Sequence, residues 1–284
     1  MTLPYDPSRT ALFHPEQSET VFSADAVPEL PALAVEAARL AYYRAETDPL
    51  DTRRLGAALA RAHFHSLTQF VDPHVGTYAF AALRDSDNLA LLAFRGSQPD
   101  DVTDLGNDVS AVPVPWEFGA GQVHAGFASA YASIHTPIGQ WLTTAGRNRR
   151  LVFTGHSLGA ALATLAAAAY RPDLLVTLGG PHVGNARFCA ALADVATTRL
   201  VNCCDIVTRL PPRQLLGYEA AGLPTYIDRE GAVLSNPTDE FVTADQQAAR
   251  ARYFVDHAWT TGSVLFRDLA DHAPANYQRA FFQE

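Results

Sequence analysis

Leu151-Val-Phe-Thr-Gly-His-Ser-Leu-Gly-Ala-Ala-Leu-Ala163 is the stretch whose reading decides the fold. Its first four residues are an apolar run of strand character, and from Leu158 to Tyr170 the sequence reads as an alanine-rich helix. Between them, Gly155-His156-Ser157-Leu158-Gly159 has the form G-x-S-x-G. That pattern puts a serine on a sharp strand-to-helix turn with its Oγ exposed at the end of a sheet. The residues two before and two after such a serine approach each other, and a Cβ at either would clash. The bare pattern arises by chance in about one chain of this size in ten, so the flanking strand and helix carry the inference. Ala160, Ala161, Ala163 and Ala166 let the helix pack closely on the sheet. Its N-terminus leaves the N–H of Leu158 unbonded, next to where an oxyanion would form.

Working outward, residues 174–178 and 199–203 read as further strands, with a helix at 185–193 between them. Upstream, 77–83 and 89–94 are strand-like, and Arg84-Asp-Ser-Asp-Asn88 suits the hairpin turn that joins them. Helical spacing marks 31–46, 51–64 and 126–146, the last with a break expected near Pro137. Apolar strands alternating with helices imply a mostly parallel sheet covered on both faces. Beyond it, 206–238 is rich in Pro and Gly, with short strands at Tyr226 and Val233, and two helices at 239–255 and 265–281 close the chain. Repeats and linkers are missing from the pattern, which predicts one domain over 1–284, with 1–30 an extended N-terminal arm.

Composition narrows the function classes. The chain has 284 residues, 48% hydrophobic and 18% charged, in the range of an ordinary globular protein. Net charge is −9, and the only dense basic run is Arg147, Arg149 and Arg150, so a nucleic-acid or anionic-membrane footprint is not expected. Three cysteines, Cys189, Cys203 and Cys204, have no metal-ligand spacing and cannot build a disulfide framework. A reduced, cytoplasmic setting is the expectation, with secretion as the alternative, and the N-terminus shows neither the basic nor the apolar part of a signal peptide. The longest uncharged apolar run, 158–170, is too short to span a bilayer, so the protein is expected to be soluble.

In folds that carry this serine turn, an acid and then a histidine follow in chain order. Asp205 directly follows the strand-like Leu-Val-Asn-Cys-Cys204 and is the candidate acid. Two late histidines, His257 and His272, are each preceded by an aspartate. His182 precedes the acid and comes too early, while His156, locked beside the serine, reads as structural.

Six segments resemble one family in the right order: Phe94-Arg-Gly-Ser97, Val123-His-Ala-Gly-Phe127, Gly155-His-Ser-Leu-Gly159, Thr177-Leu-Gly-Gly-Pro-His-Val-Gly-Asn185, Val201-Asn-Cys-Cys-Asp-Ile-Val-Thr-Arg-Leu-Pro-Pro212 and His272-Ala-Pro-Ala-Asn-Tyr277. The chain resembles the class 3 lipases, which include fungal triacylglycerol lipases, feruloyl esterases and plant phospholipase-A1-type enzymes. The resemblance implies the α/β-hydrolase fold, with Ser157 as nucleophile, Asp205 as orienting acid and His272 as general base. His272 is preferred to His257 because a tyrosine follows it five residues later. The resemblance also makes the N–H groups of Ser97 and Leu158 the oxyanion hole. The implied activity is a lipase or esterase working on acylglycerols or related lipid esters, including at an oil–water interface. Feruloyl esterase or phospholipase A1 activity is the alternative, and a non-catalytic lipase-like scaffold is the reading of another class. No metal and no organic cofactor is required, and the oligomeric state is left open.

Two departures from the family pattern stand out. Gly179-Gly180-Pro181 stands where members often have Gly-Ser-Pro. The segment after Ser97, which in the family forms a lid, is Gln98-Pro-Asp-Asp-Val-Thr-Asp-Leu-Gly-Asn-Asp108, acidic and with only Val102 and Leu105 apolar. Interfacial lids are amphipathic helices with large apolar residues, so strong interfacial activation is not expected. Val112, Val114, Trp116 and Phe118 suit an acyl chain, an aromatic acid or the core equally.

Overall fold

The computed structural model describes residues 3–26, 28–97, 112–213 and 217–282. Its strands are β1 (His65–Asp72), β2 (Thr77–Arg84), β3 (Leu89–Phe94), β4 (Pro113–Pro115), β5 (Gln122–His124) and β6 (Arg150–His156), followed by β7 (Leu174–Leu178), β8 (Gly184–Asn185), β9 (Thr197–Asn202), β10 (Tyr218–Glu219), β11 (Pro224–Ile227) and β12 (Val233–Ser235). Eight of them form one sheet in the order β1-β2-β3-β6-β7-β9-β11-β12, and the other four a small sheet in the order β10-β8-β5-β4. The central pairs β3–β6, β6–β7, β7–β9 and β9–β11 are parallel, flanked by antiparallel pairs at both edges. This is the α/β-hydrolase architecture.

The period of two in the central strands explains the layering. Along β2 and β3, Ala79, Ala81, Ala90, Leu92 and Phe94 join one core, together with α4 (Ala125–Thr143) and α5 (Leu158–Tyr170). Their neighbours Tyr78, Phe80, Ala82, Leu89, Leu91 and Ala93 join the opposite core. The described helices are α1 (Arg9–Phe13), α2 (Leu30–Leu40), α3 (Pro49–Arg61), α4, α5, α6 (Ala186–Ala190), α7 (Asp239–Asp256), α8 (Arg267–Ala270) and α9 (Pro274–Gln278). Helices α2 and α3 cover the second face. None of the helices is long and apolar enough to cross a membrane, among the described residues.

Some local expectations give way to tertiary packing. Helix α4 runs through Pro137 unbroken, because Tyr131, Ile134, Ile138 and Trp141 bury one face across that position and offset a lost backbone bond. Strand β1 carries no apolar run that would announce it. It is an edge strand, half-buried or exposed at all but Phe70 and, among the described residues, paired only with β2. The N-terminal arm holds α1 and a short 3₁₀ turn, Pro15–Gln17, and is pinned to α2. There the Arg39 guanidinium, fully buried against Glu36 at 2.6 Å, donates to the carbonyls of Pro15 and Ser18 at 3.1 Å each.

The most consequential difference lies at the C-terminus. Instead of one helix over 265–281, α8 stops at Ala270 and α9 starts at Pro274. Proline has no N–H to continue a helix and forces the residue before it to be extended, and Ala273 is extended at φ −61°, ψ 132°. His272 sits in the resulting break.

Candidate active site

Ser157 lies between the end of β6 and the start of α5, with φ 58° and ψ −127°. A side chain other than glycine at such angles is strained, and the surroundings must hold it there. They do so from two sides. The Ser157 N–H donates to the Leu178 carbonyl at 2.9 Å. A Cβ on Gly155 would stand 2.2 Å from the Gly159 carbonyl oxygen, and one on Gly159 would stand 2.2 Å from that of Phe94. Both glycines are therefore demanded by backbone contact, and α5 begins pressed against the end of β3.

The side chains of the three candidates meet. The Ser157 hydroxyl is 2.9 Å from His272 Nε2, and His272 Nδ1 is 2.9 and 3.0 Å from the two Asp205 carboxylate oxygens. A carboxylate only accepts, so the proton of a neutral His272 sits on Nδ1, and the Nε2 lone pair faces the serine hydroxyl. All three residues are buried.

Asp205 is held by more than histidine. The Tyr277 hydroxyl donates to Oδ2 at 2.6 Å and the Val207 N–H to Oδ1 at 2.9 Å, while the Asn202 N–H supports the Tyr277 oxygen at 3.2 Å. Complete burial works to raise the Asp205 pKa. The charge of His272 and the hydrogen bonds from His272 and Tyr277 outweigh it, leaving the carboxyl below its usual range. Gly179, at φ +57°, lies over this pair: a Cβ there would come 2.7 Å from Asp205 Oδ2 and 3.0 Å from His272 Nδ1. The site thus needs the first glycine of Gly179-Gly180-Pro181.

His156, read from sequence as structural, touches the site through the backbone. Its Nε2 is 2.7 Å from the His272 carbonyl, and its Nδ1 is 2.7 Å from the Tyr42 hydroxyl. A carbonyl only accepts, so Nε2 carries the hydrogen and Tyr42 donates to Nδ1. Burial first, and then the neighbouring His272, push its pKa down to about 3, so the ring is neutral. The Gly96 N–H in turn lies against the Tyr42 oxygen. Tyr42 and Tyr277 were not flagged as supports by local sequence, because each acts across more than seventy residues of chain.

Ser97 and Leu158 come together with Gly96 and Leu162 on the wall of one cavity, of about 310 Å³. The β3 end that bears Ser97 is anchored by Arg95, which pairs with Glu46 at 2.5 Å and covers the Tyr78 ring. Val71 and Val75 add apolar wall, Arg44 a cationic group and Glu46 and Asp72 acidic ones, and Ser157 lies next to this lining through its neighbour Leu158.

The remaining candidates lie elsewhere. His257 caps the C-terminus of α7 and packs beside Tyr5 and Tyr253. His182 Nδ1 donates to the Pro211 carbonyl at 2.9 Å. Trp116 is buried among Phe118, Tyr131 and Phe188 and belongs to the core, with Val114 and Phe118 packed on it, whereas Val112 is exposed. The lid segment at 98–108 lies outside the described residues. Cys203, Cys204 and Asp271 bring potential metal-ligand atoms within 4.8 Å of one another. Their chemistry does not suit a cation, because Asp271 is already bonded to Arg267 at 3.1 Å, Tyr5 at 2.9 Å and the Cys204 N–H at 2.9 Å.

Residues 91–215 match the family described as lipase (class 3). A lipase of Rhizopus niveus is 30% identical over 196 residues, covering 63% of this chain and 49% of the fungal protein. The Arabidopsis thaliana protein named phospholipase A(1) DAD1, chloroplastic, is 33% identical over 132 residues, covering 38% of this chain and 30% of its own. The chain thus spans about half the length, or less, of these curated relatives. Among solved structures, the lipase of Rhizopus microsporus var. chinensis shares the fold with a TM-score of 0.61 at 24% identity, over 96% of this chain and 93% of that one.

Proposed function

We propose that this chain, whose residues 91–215 match the class 3 lipase family, is a serine carboxylic-ester hydrolase cleaving acylglycerols or related lipid esters. The observation that carries the reading is the unbroken line from Ser157 through His272 to Asp205, with contacts of 2.9 Å on either side of the imidazole.

In this mechanism the ester carbonyl rests beside Ser97 and Leu158, and Ser157 Oγ attacks it as its proton passes to His272 Nε2. Asp205 fixes the tautomer and stabilises the imidazolium without taking the proton. The oxyanion accepts from the N–H groups of Ser97 and Leu158, each worth on the order of 10²–10³ in turnover. His272 returns the proton to the leaving alcohol, forming the acyl-enzyme on Ser157. Water, activated by the same histidine, then releases the acid. No metal or organic cofactor enters a step. We treat 1–284 as one domain carrying this site.

A cavity of about 310 Å³ is at the lower end of small-molecule sites, which favours a short or medium acyl group on the described walls. The sequence shared with a plant protein named phospholipase A(1) supports that activity as the second reading. A scaffold reading requires a damaged site, and the intact line from Ser157 to Asp205 argues against it. All three cysteines are free thiols, which favours a cytoplasmic setting; cell fractionation decides between that and secretion.

The test is turnover of p-nitrophenyl esters from acetate to palmitate, then of emulsified triacylglycerol and of phosphatidylcholine, on wild type and Ser157→Ala. The expected result is serine-dependent hydrolysis that falls with acyl length. Hydrolysis that survives Ser157→Ala, or none on any ester, would overturn the proposal.

A further inference from the structure

Next to the Asp271–His272 turn, the fold gathers four arginines that the sequence scatters from 229 to 279. Arg229, Arg252, Arg267 and Arg279 line a cavity of about 130 Å³ together with Tyr5, Tyr253 and His257 and two carboxylates, Glu230 and Asp256, which pair with Arg229 and Arg252 at its wall. Three of the four guanidiniums have carboxylate partners. Arg229 reaches Asp245 at 3.0 Å and Glu230 at 3.4 Å, Arg252 reaches Asp256 at 3.2 Å and Glu230 at 3.6 Å, and Arg267 reaches Asp271 at 3.1 Å.

Arg279 has no ion pair among the described residues. It is only 7% exposed, and its Nε is buried without a hydrogen-bond partner. Among the described residues, its one side-chain hydrogen bond is from Nη2 to the Arg229 carbonyl at 3.1 Å, an acceptor it shares with Arg267. The two guanidiniums also crowd one aromatic face, 4.8 and 5.0 Å from the Tyr5 ring centroid. Burial and the charge of Arg267 both work against the Arg279 cation, opposed by Asp271. A buried, under-partnered guanidinium is costly, and a donor fork of this kind matches a phosphate or sulfate oxygen pair.

We propose that this cavity binds a compact tetrahedral oxyanion of the phosphate type, with Arg279 as its principal ligand. Size supports the assignment. The cavity exceeds the ~30 Å³ share of one water several-fold but falls well short of the roughly 300 Å³ at which sites for larger organic ligands begin. The site is separate from the ester cavity and does not depend on the proposed hydrolysis. Through Arg267 and Asp271 it adjoins His272, so a bound anion steadies the turn that carries it.

The experiment is calorimetric titration and thermal melting of the full chain with sodium phosphate, sodium sulfate and glycerol 3-phosphate, against sodium chloride at equal ionic strength. Phosphate and sulfate also raise stability generally by exclusion from protein surfaces. That effect does not saturate and does not depend on one arginine. The expected result is a saturable rise of about 5 °C at a hundredfold excess over Kd, lost in Arg279→Gln and weakened in Arg252→Gln, a change at the exposed rim. A response to glycerol 3-phosphate as well assigns the site to a phosphomonoester headgroup; a response to inorganic phosphate and sulfate alone assigns it to the free anion. Equal responses to chloride, or a phosphate response retained in both variants, would overturn the proposal.

Discussion

Asp256-His257 and Asp271-His272 are the same dipeptide, at the ends of successive helices, and the fold uses them in opposite ways. Asp256 closes an eighteen-residue helix, and its carboxylate pairs with Arg252 on the surface, leaving His257 partly exposed beside two tyrosines. Asp271 is fully buried, bonded to Arg267, Tyr5 and the Cys204 N–H, and His272 behind it is gripped by Ser157 and Asp205. What separates them is Pro274. It breaks the last helix and turns His272 inward, whereas His257 ends its helix in the ordinary way. A histidine becomes a candidate base through what reaches it from distant segments, and its neighbours in sequence do not decide the matter.

The sharpest way to break the comparison is to remove each ring. His272→Ala is expected to lower kcat by about 10⁴-fold or more, and His257→Ala to leave it within about twofold. Comparable losses from both, measured with p-nitrophenyl butyrate, would mean that the wrong histidine has been placed in the site.

A smaller effect tests the grip on Asp205. Tyr277→Phe removes the 2.6 Å bond to Oδ2 while keeping the buried ring. A hydrogen bond to a charged group contributes about 1.5–3 kcal/mol, so kcat should fall by roughly tenfold or more with KM little changed. Losing that donor also relieves the lowering of the Asp205 pKa, so the acid limb of the pH–kcat profile should move upward. An unchanged profile would reduce Tyr277 to packing.

The smallest effect is one of slope. His156 is held neutral down to about pH 3, whereas in the unfolded chain it protonates near 6.5. Between those values the unfolded state binds the extra proton, so stability falls as pH drops through the window, by about 1.4 kcal/mol per unit for this group. In His156→Gln that share of the slope between pH 6 and 4 should vanish. Denaturant melts across the window read it directly.

Much of the frame was legible in the sequence, because the central strands are apolar runs bounded by turns. β3, α5 and β7 have the limits that their periodicity gives. What escaped has physical reasons. β1 is an edge strand half in solvent and carries no hydrophobic signature. The break at 271–273 was masked by helical periodicity on both sides, although Pro274 announced it. Ser157, Asp205 and His272 could be proposed from a turn motif, a strand end and a resemblance. Tyr42, Tyr277 and the arginine cavity could not, since each depends on contacts between segments remote in the chain. The segment 98–108, read as a lid through the resemblance, lies outside the described residues.

The central claim is that Ser157 is a nucleophile made reactive by His272. Incubation with a p-nitrophenyl alkylphosphonate, followed by intact mass and peptide mapping, tests it most directly. The account predicts one adduct per chain, on Ser157, with release of one p-nitrophenolate, no adduct in Ser157→Ala and a strongly slowed reaction in His272→Ala but not in His257→Ala. An adduct on another residue, or labelling of Ser157 that is indifferent to His272, would contradict it.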